Sequence, residues 1–184
     1  MLNDQTVIAR QLGRPPRGRF DVSVRCPWGY PAVLRVAPLL RDGDSVEPFP
    51  TLFWLTCPIL IEQLSRLEEH GLIDQLESEL ARNPQLRHQY EEDHRRYAHE
   101  REALLSDDDR QALRERGWFG ALQNRGIAGV ANRTKVKCLH AQYAFHLARG
   151  GLIGRWLEER FQFSWCSPTE IRCARFALFS SDSL

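Results

Sequence analysis

Three cysteines in this 184-residue chain stand at positions where chemistry is usually assembled, the ends of strands and the starts of helices. Cys26 closes the alternating run Phe20-Asp-Val-Ser-Val-Arg-Cys26 and is followed by Pro27. Cys57 closes the apolar run through Phe53 and Leu55 and is followed by Pro58, and Cys138 opens a Lys-Cys-Leu-His segment. A thiol at a helix start faces unpaired N–H groups and the positive end of the helix dipole, which favour thiolate, the form that ligates metals or attacks electrophiles. That argument is clearest for Cys57, and it predicts a lowered pKa. Cys138 beside Lys137, and Cys26 beside Arg25, are pushed the same way. Three thiolates in one place repel, so a bound cation or cluster is the simplest compensation. The expectation is that Cys26, Cys57 and Cys138 converge as metal ligands. Their sulfurs would lie within about 4 Å of one another for zinc, or about 6–7 Å for a cubane cluster. The competing reading of each cysteine alone is a small buried hydrophobe.

His140 is the accompanying acid/base candidate. In a regular helix, residues two apart point about 200° from each other, so Cys138 and His140 can share an ion only where the turn is irregular. Arg25, Arg133, Lys135 and Lys137 make a positive rim suited to an anionic ligand, and the two lysines are the only ones in the chain. Pairing of that rim with acidic helices is the structural alternative. His146 reads as a packed helix histidine. His88, His94 and His99 read as the solvated surface of a polar helix.

These residues need a frame. The sequence pattern predicts a helix over Thr6–Leu12 capped by Asp4, a strand ending at Cys26, a turn at 27–31 and a second strand over Ala32–Ala37. A turn at Arg41–Asp44 and a loop prolonged by Pro48 and Pro50 lead to a third strand over Thr51–Leu55. Helices follow from Pro58 to Gly71, over Leu72–Ala81, over Gln85–Leu105, from Ser106 to Arg116, over Val136–Arg149 and over Leu152–Phe161. Gly117–Arg133 reads as a glycine-rich loop. The fold class is α+β, a small antiparallel sheet near the N-terminus packed against several helices. Residues 1–161 form one domain and residues 162–184 an appended tail whose Cys166 and Cys173 are not assigned to the site.

Composition narrows the class of function. Residues 1–37 carry six arginines against two acids, while residues 42–102 carry fourteen acids against six arginines, so the basic ends and the acidic middle can pair with one another. The basic run Arg10–Gly18 lacks interleaved aromatics, which favours such pairing over nucleic-acid binding, although a nucleic-acid partner stays open. No apolar stretch is long enough to span a bilayer and the N-terminus has no apolar signal core, so the expected location is the cytoplasm, with five reduced cysteines. A Walker loop, a dinucleotide fingerprint and a serine elbow are all absent.

Four segments, ARQLGRPPRG, RCPWGYPAV, FPTLFWLTCP and KCLHAQYAFHLA, together resemble a bacterial family known only as domain of unknown function 501. The resemblance spans about residues 6–160. It implies that Cys26, Cys57, Cys138 and His140 act as a set, and it implies no particular activity. Where members of that family often carry a histidine, this chain has Phe145, with His146 beside it.

The resulting expectation is a cytoplasmic metal-binding protein in which a [4Fe-4S] cluster is favoured over zinc. It could be an enzyme using an open metal position on a small anionic or nucleotide-like substrate, for example in sulfur removal or transfer. The alternatives are a scaffold or binding domain closed by a Cys3His zinc site, and a metal-free thiol enzyme with His140 as base.

Overall fold

The computed structural model describes residues 3–42 and 45–178. Strand β1 (Phe20–Arg25) pairs antiparallel with β2 (Pro31–Val36) through a tight turn closed by Cys26 N–H to the Tyr30 carbonyl at 2.9 Å and Gly29 N–H to the Cys26 carbonyl at 2.9 Å. Gly29 sits at φ +81°, a conformation that glycine adopts without strain. Strands β3 (Leu39–Asp42) and β4 (Ser45–Pro48) form a separate two-stranded ribbon. The sequence reading expected only a loop there, because prolines are poor strand residues. Pro48 is tolerated as the last residue of its strand. The tip of the expected turn, Gly43 and Asp44, lies outside the described residues. Strand β5 (Phe53–Leu55) adds to the other edge of β2, giving the antiparallel order β1-β2-β5 with the apolar β2 in the centre.

Helix α1 (Asp4–Leu12) is capped by Asn3, whose side chain accepts the Thr6 N–H, rather than by Asp4. Helix α2 (Pro58–Glu69) begins as expected, with Cys57 at the N-cap and Pro58 in the first turn. Helices α3 (Leu72–Arg82), α4 (Pro84–Ala103) and α5 (Asp107–Glu115) follow, the last fixed by a Ser106–Asp109 capping box. The expected loop at 117–133 contains a short helix α6 (Phe119–Asn124) and a 3-10 turn at Ile127–Gly129. Helices α7 (Leu139–Arg149) and α8 (Leu152–Arg160) pack on the sheet and on α4. The protein is α+β, with one large core shared by the sheet, α2, α3, α4, α7 and α8.

Helix α4 carries few apolar residues, yet one face of it is buried. That face spends its polar atoms on the backbone of loops. Tyr90 donates to the Lys135 carbonyl at 3.1 Å, Asp93 accepts the Leu152 N–H at 2.6 Å, and His94 Nδ1 accepts the Ile127 N–H at 3.0 Å. The Tyr97 hydroxyl accepts the Leu52 N–H at 2.5 Å, and Arg101 donates to the carbonyls of Pro50, Leu122 and Arg125. These bonds satisfy groups that would be costly to bury unpaired. His94 is therefore not solvated surface as the sequence pattern suggested: it is 0% exposed, whereas His88 and His99 are exposed.

The C-terminal segment docks through its aromatic residues. Phe163 stacks on Tyr143 with ring centroids 4.7 Å apart, and Trp165 packs against the main core. Ser164 exchanges hydrogen bonds with Gln63 of α2, and Arg172 pairs with Glu62 at 2.6 Å.

Candidate metal centre

The sequence reading started the last long helix at Val136. In the structure Cys138 is its N-cap, with extended φ −157° and ψ 120°, and the helix proper begins at Leu139. The two-residue spacing therefore does not separate Cys138 from His140 by a helical 200°. The Cys138 sulfur lies 3.6 Å from His140 Nδ1. A carboxylate joins them from α2: Glu68 Oε1 is 3.3 Å from the same nitrogen. Among the described residues, Glu68, Cys138 and His140 are the group of potential ligands whose atoms all lie within 4.8 Å of one another.

Each member is oriented by its surroundings. His140 Nε2 is 3.1 Å from the Ile61 carbonyl and 3.2 Å from the Ser65 hydroxyl. A carbonyl only accepts, so Nε2 carries a proton, and Nδ1 is the ring nitrogen that faces the thiol and the carboxylate. Glu68 Oε1 accepts the Leu139 N–H at 2.5 Å, which ties the carboxylate to the first turn of α7. The hydrogen bond with Cys138 raises the His140 pKa most, burial opposes it, and the charges of Cys138 and Glu68 add to the increase.

The group opens on a cavity of about 260 Å³ whose wall includes Thr51, Trp54, Ala128, Lys137, Cys138 and His140. Lys137 is exposed at its mouth. The other members of the expected basic rim are engaged elsewhere. Lys135 pairs with Glu77 at 2.7 Å, Arg25 pairs with Asp4 at 2.6 Å, and Arg133 points at the Asn124 carbonyl. Ala128 holds φ +58°, a left-handed conformation uncommon for a residue with a Cβ, in the turn that His94 fixes. Gly126 lets that turn approach, because a Cβ there would lie 2.3 Å from His94 Nδ1.

Cys26 and Cys57 fall outside this ligand-sized group. Cys57 caps the first turn of α2, while Glu68 lies in its last turn, eleven residues on, about 16 Å of helix. Cys57 is 5% exposed, and burial pushes its thiol pKa up. The N–H groups of Leu60 and Ile59 lower it as the helix-start argument requires, but desolvation is the larger effect, so the expected direction is reversed. The thiols whose charge it feels are Cys166 and Cys26. Glu68 is the member of the ligand-sized group that sequence reasoning missed. Phe145 is a core residue packed on Phe53 and Tyr97, and His146 is held by Gly151 and Glu158.

Residues 22–159 match the family described as Protein of unknown function (DUF501), and the chain belongs to that family. The match includes Cys26, Cys57, Glu68, Cys138 and His140 and stops short of Cys166 and Cys173. No curated protein and no solved structure matches the chain.

Proposed function

We propose that the protein binds one divalent metal ion of the zinc class between Cys138, His140 and Glu68 and presents it to a small anionic ligand in the adjoining cavity. The ligand spacing carries this reading. Tetrahedral bonds of about 2.3 Å to sulfur, about 2.05 Å to imidazole and about 2.1 Å to carboxylate imply S···N and N···O separations of about 3.6 and about 3.4 Å. The corresponding distances here are 3.6 and 3.3 Å. The backbone carbonyl on the far nitrogen of His140 is the outer support that metal-bound histidines ordinarily have. One thiolate, one imidazole and one carboxylate suit zinc better than an iron–sulfur cluster, so the ligand set differs from the three-cysteine expectation.

Three protein ligands leave a fourth position for water or a ligand. That favours Lewis-acid chemistry over a closed structural ion. Lys137 at the cavity mouth supplies a mobile positive charge for an anionic group. The metal-free alternative would use the same Cys138–His140 contact as nucleophile and base. In that arrangement the carboxylate usually orients the far nitrogen, whereas here Glu68 and Cys138 both face Nδ1.

Titration of the metal-free protein with cobalt(II) tests the proposal. The expected result is one equivalent bound with a sulfur-to-cobalt charge-transfer band, both lost in Cys138→Ser and His140→Ala. Cobalt binding that survives both substitutions refutes the site.

A further inference from the structure

We infer that Cys26, Cys57, Cys166 and Cys173 form a second centre, a [4Fe-4S] cluster site completed by the C-terminal segment. The four residues come from three separate parts of the chain, and specific contacts bring them to one place. The Trp28 indole, in the turn just after Cys26, donates to the Cys166 carbonyl at 3.1 Å. Gln11 of α1 uses one amide group twice, donating to the Cys173 sulfur at 3.2 Å and to the Pro31 carbonyl at 2.8 Å. The Pro31 carbonyl also accepts from Thr56, the neighbour of Cys57, and Pro31 pairs across the sheet with Arg25, the neighbour of Cys26. Arg10 donates to the Phe176 carbonyl at 2.7 Å, fixing the 3-10 segment Arg172–Leu178 against α1.

The donor set, four thiols and no imidazole or carboxylate, fits an iron–sulfur cluster. Four thiolates on one zinc ion stand about 4 Å apart, since each bond is about 2.3 Å. Among the described residues, no three of these four sulfurs lie mutually within 4.8 Å. A cubane cluster needs four cysteines whose sulfurs stand farther apart, about 6–7 Å, around a larger core. The setting also fits. Cys57 and Cys173 are each 5% exposed, and Trp165 packs against the same core as Cys26 and Cys57, which shields the site from water. The Gln11 amide already gives the Cys173 sulfur an N–H···S hydrogen bond of the kind that tunes cluster potential. Cys26 and Cys57 are each followed by proline, as is the final cysteine of the bacterial cluster-binding run. Loading would release one proton per thiol, and the cluster would spread the charge of the thiolates it binds.

This site shares no ligand with the Cys138 centre, so the two stand or fall separately. The test uses the full-length chain, purified without oxygen and reconstituted with sulfide and ferric iron, half of which dithiothreitol reduces to give the cluster of two ferric and two ferrous ions. The expected product is brown, contains about four irons and four sulfides per chain, and gives an EPR signal on reduction with dithionite. The double variant Cys166→Ser, Cys173→Ser should keep less than half of the bound iron, while Cys138→Ala keeps all of it. Thermal melts of each variant report folding. Should the double variant fail to fold, Cys166→Ser alone, at a partly exposed position, carries the comparison. Failure of the wild-type chain to take up iron and sulfide, full loading of the folded tail variant, loss of the cluster in Cys138→Ala, or one zinc on the four thiols in place of a cluster would each overturn the inference.

Discussion

Acid should loosen the wall of the cavity through a single buried imidazole. His94 is fully buried, its Nδ1 holds the Ile127 N–H, and its Nε2 has no hydrogen-bond partner among the described residues. Burial, aided by the positive charge of Arg133, lowers its pKa from 6.5 to about 4. The folded state thus binds this proton more weakly than the unfolded chain. His94 makes no difference well above pH 6.5, and destabilisation grows as pH falls from 6.5 toward 4. Integrating the two titrations gives a loss of about 2 kcal/mol at pH 5 and about 3 kcal/mol at pH 4. Carboxylates also titrate in this range, so the measurement must be a difference. In His94→Asn the side-chain oxygen can still take the Ile127 N–H, but nothing titrates. Urea unfolding of both proteins at pH 7, 5 and 4 should show the wild type losing about 3 kcal/mol more than the variant by pH 4. Because Ile127 precedes Ala128 in the cavity wall, the protection of the amides around 126–129, corrected for the intrinsic exchange rate at each pH, should fall in the wild type relative to His94→Asn over the same range. Parallel stability losses in the two proteins would refute the buried neutral imidazole and its role in the wall.

Arg101, 1% exposed and bonded to three carbonyls, should cost more than about 3 kcal/mol when changed to methionine, since each charge-assisted bond is worth about 1.5–3 kcal/mol; a loss below about 1 kcal/mol in urea midpoints would be inconsistent with the clamp. Gly126→Ala should lose about 1–3 kcal/mol to the clash with His94, and the loss should shrink in a His94→Ala background, a coupling that a double-mutant cycle reads directly. Lys137→Ala should weaken phosphate binding to the metal-loaded protein, with a deficit that fades as salt rises over the range where the screening length drops below about 10 Å. Lys135→Ala, which removes an exposed partner of Glu77, should leave that affinity unchanged, and equal effects of the two lysines would return the rim to a purely structural role.

What could be read from the sequence was what short-range chemistry dictates. The start of α2 follows from Pro58, the start of α5 from Ser106 and its acids, and the β1–β2 turn from Gly29 and its flanking prolines. What could not be read depends on distant partners. Helix α4 looked solvated because its buried face is polar, and only the loops at 50–53, 122–127 and 135 reveal what those groups are for. The Cys57 thiol shows the same limit in electrostatics. Position at a helix start is local and lowers the pKa, whereas burial belongs to the whole fold and raises it more.

The grouping of the chemical residues is the sharpest case. Three cysteines in recognisable motifs suggested one centre because motif strength was the only measure of association available. In the structure, association is set by α2. Its N-cap Cys57 is tied to β2 through the Ala32 carbonyl, Glu62 and Gln63 hold the docked C-terminal segment, and its last turn brings Glu68 to Cys138 and His140. Each end lacks something that the motifs do not show. As proposed, the Cys138 end draws on a carboxylate 70 positions away in the chain, and the Cys57 end on two thiols from beyond residue 159, where the family match stops. A helix about 16 Å long between the two ends is too rigid to let one ion serve both. If metal is bound at either end, each end should therefore lose it independently. Cys138→Ser would empty one centre with the other intact, and Cys57→Ser would do the reverse, as measured by separate cobalt and iron analyses. Simultaneous loss of both metals from a folded single variant would restore the one-centre reading.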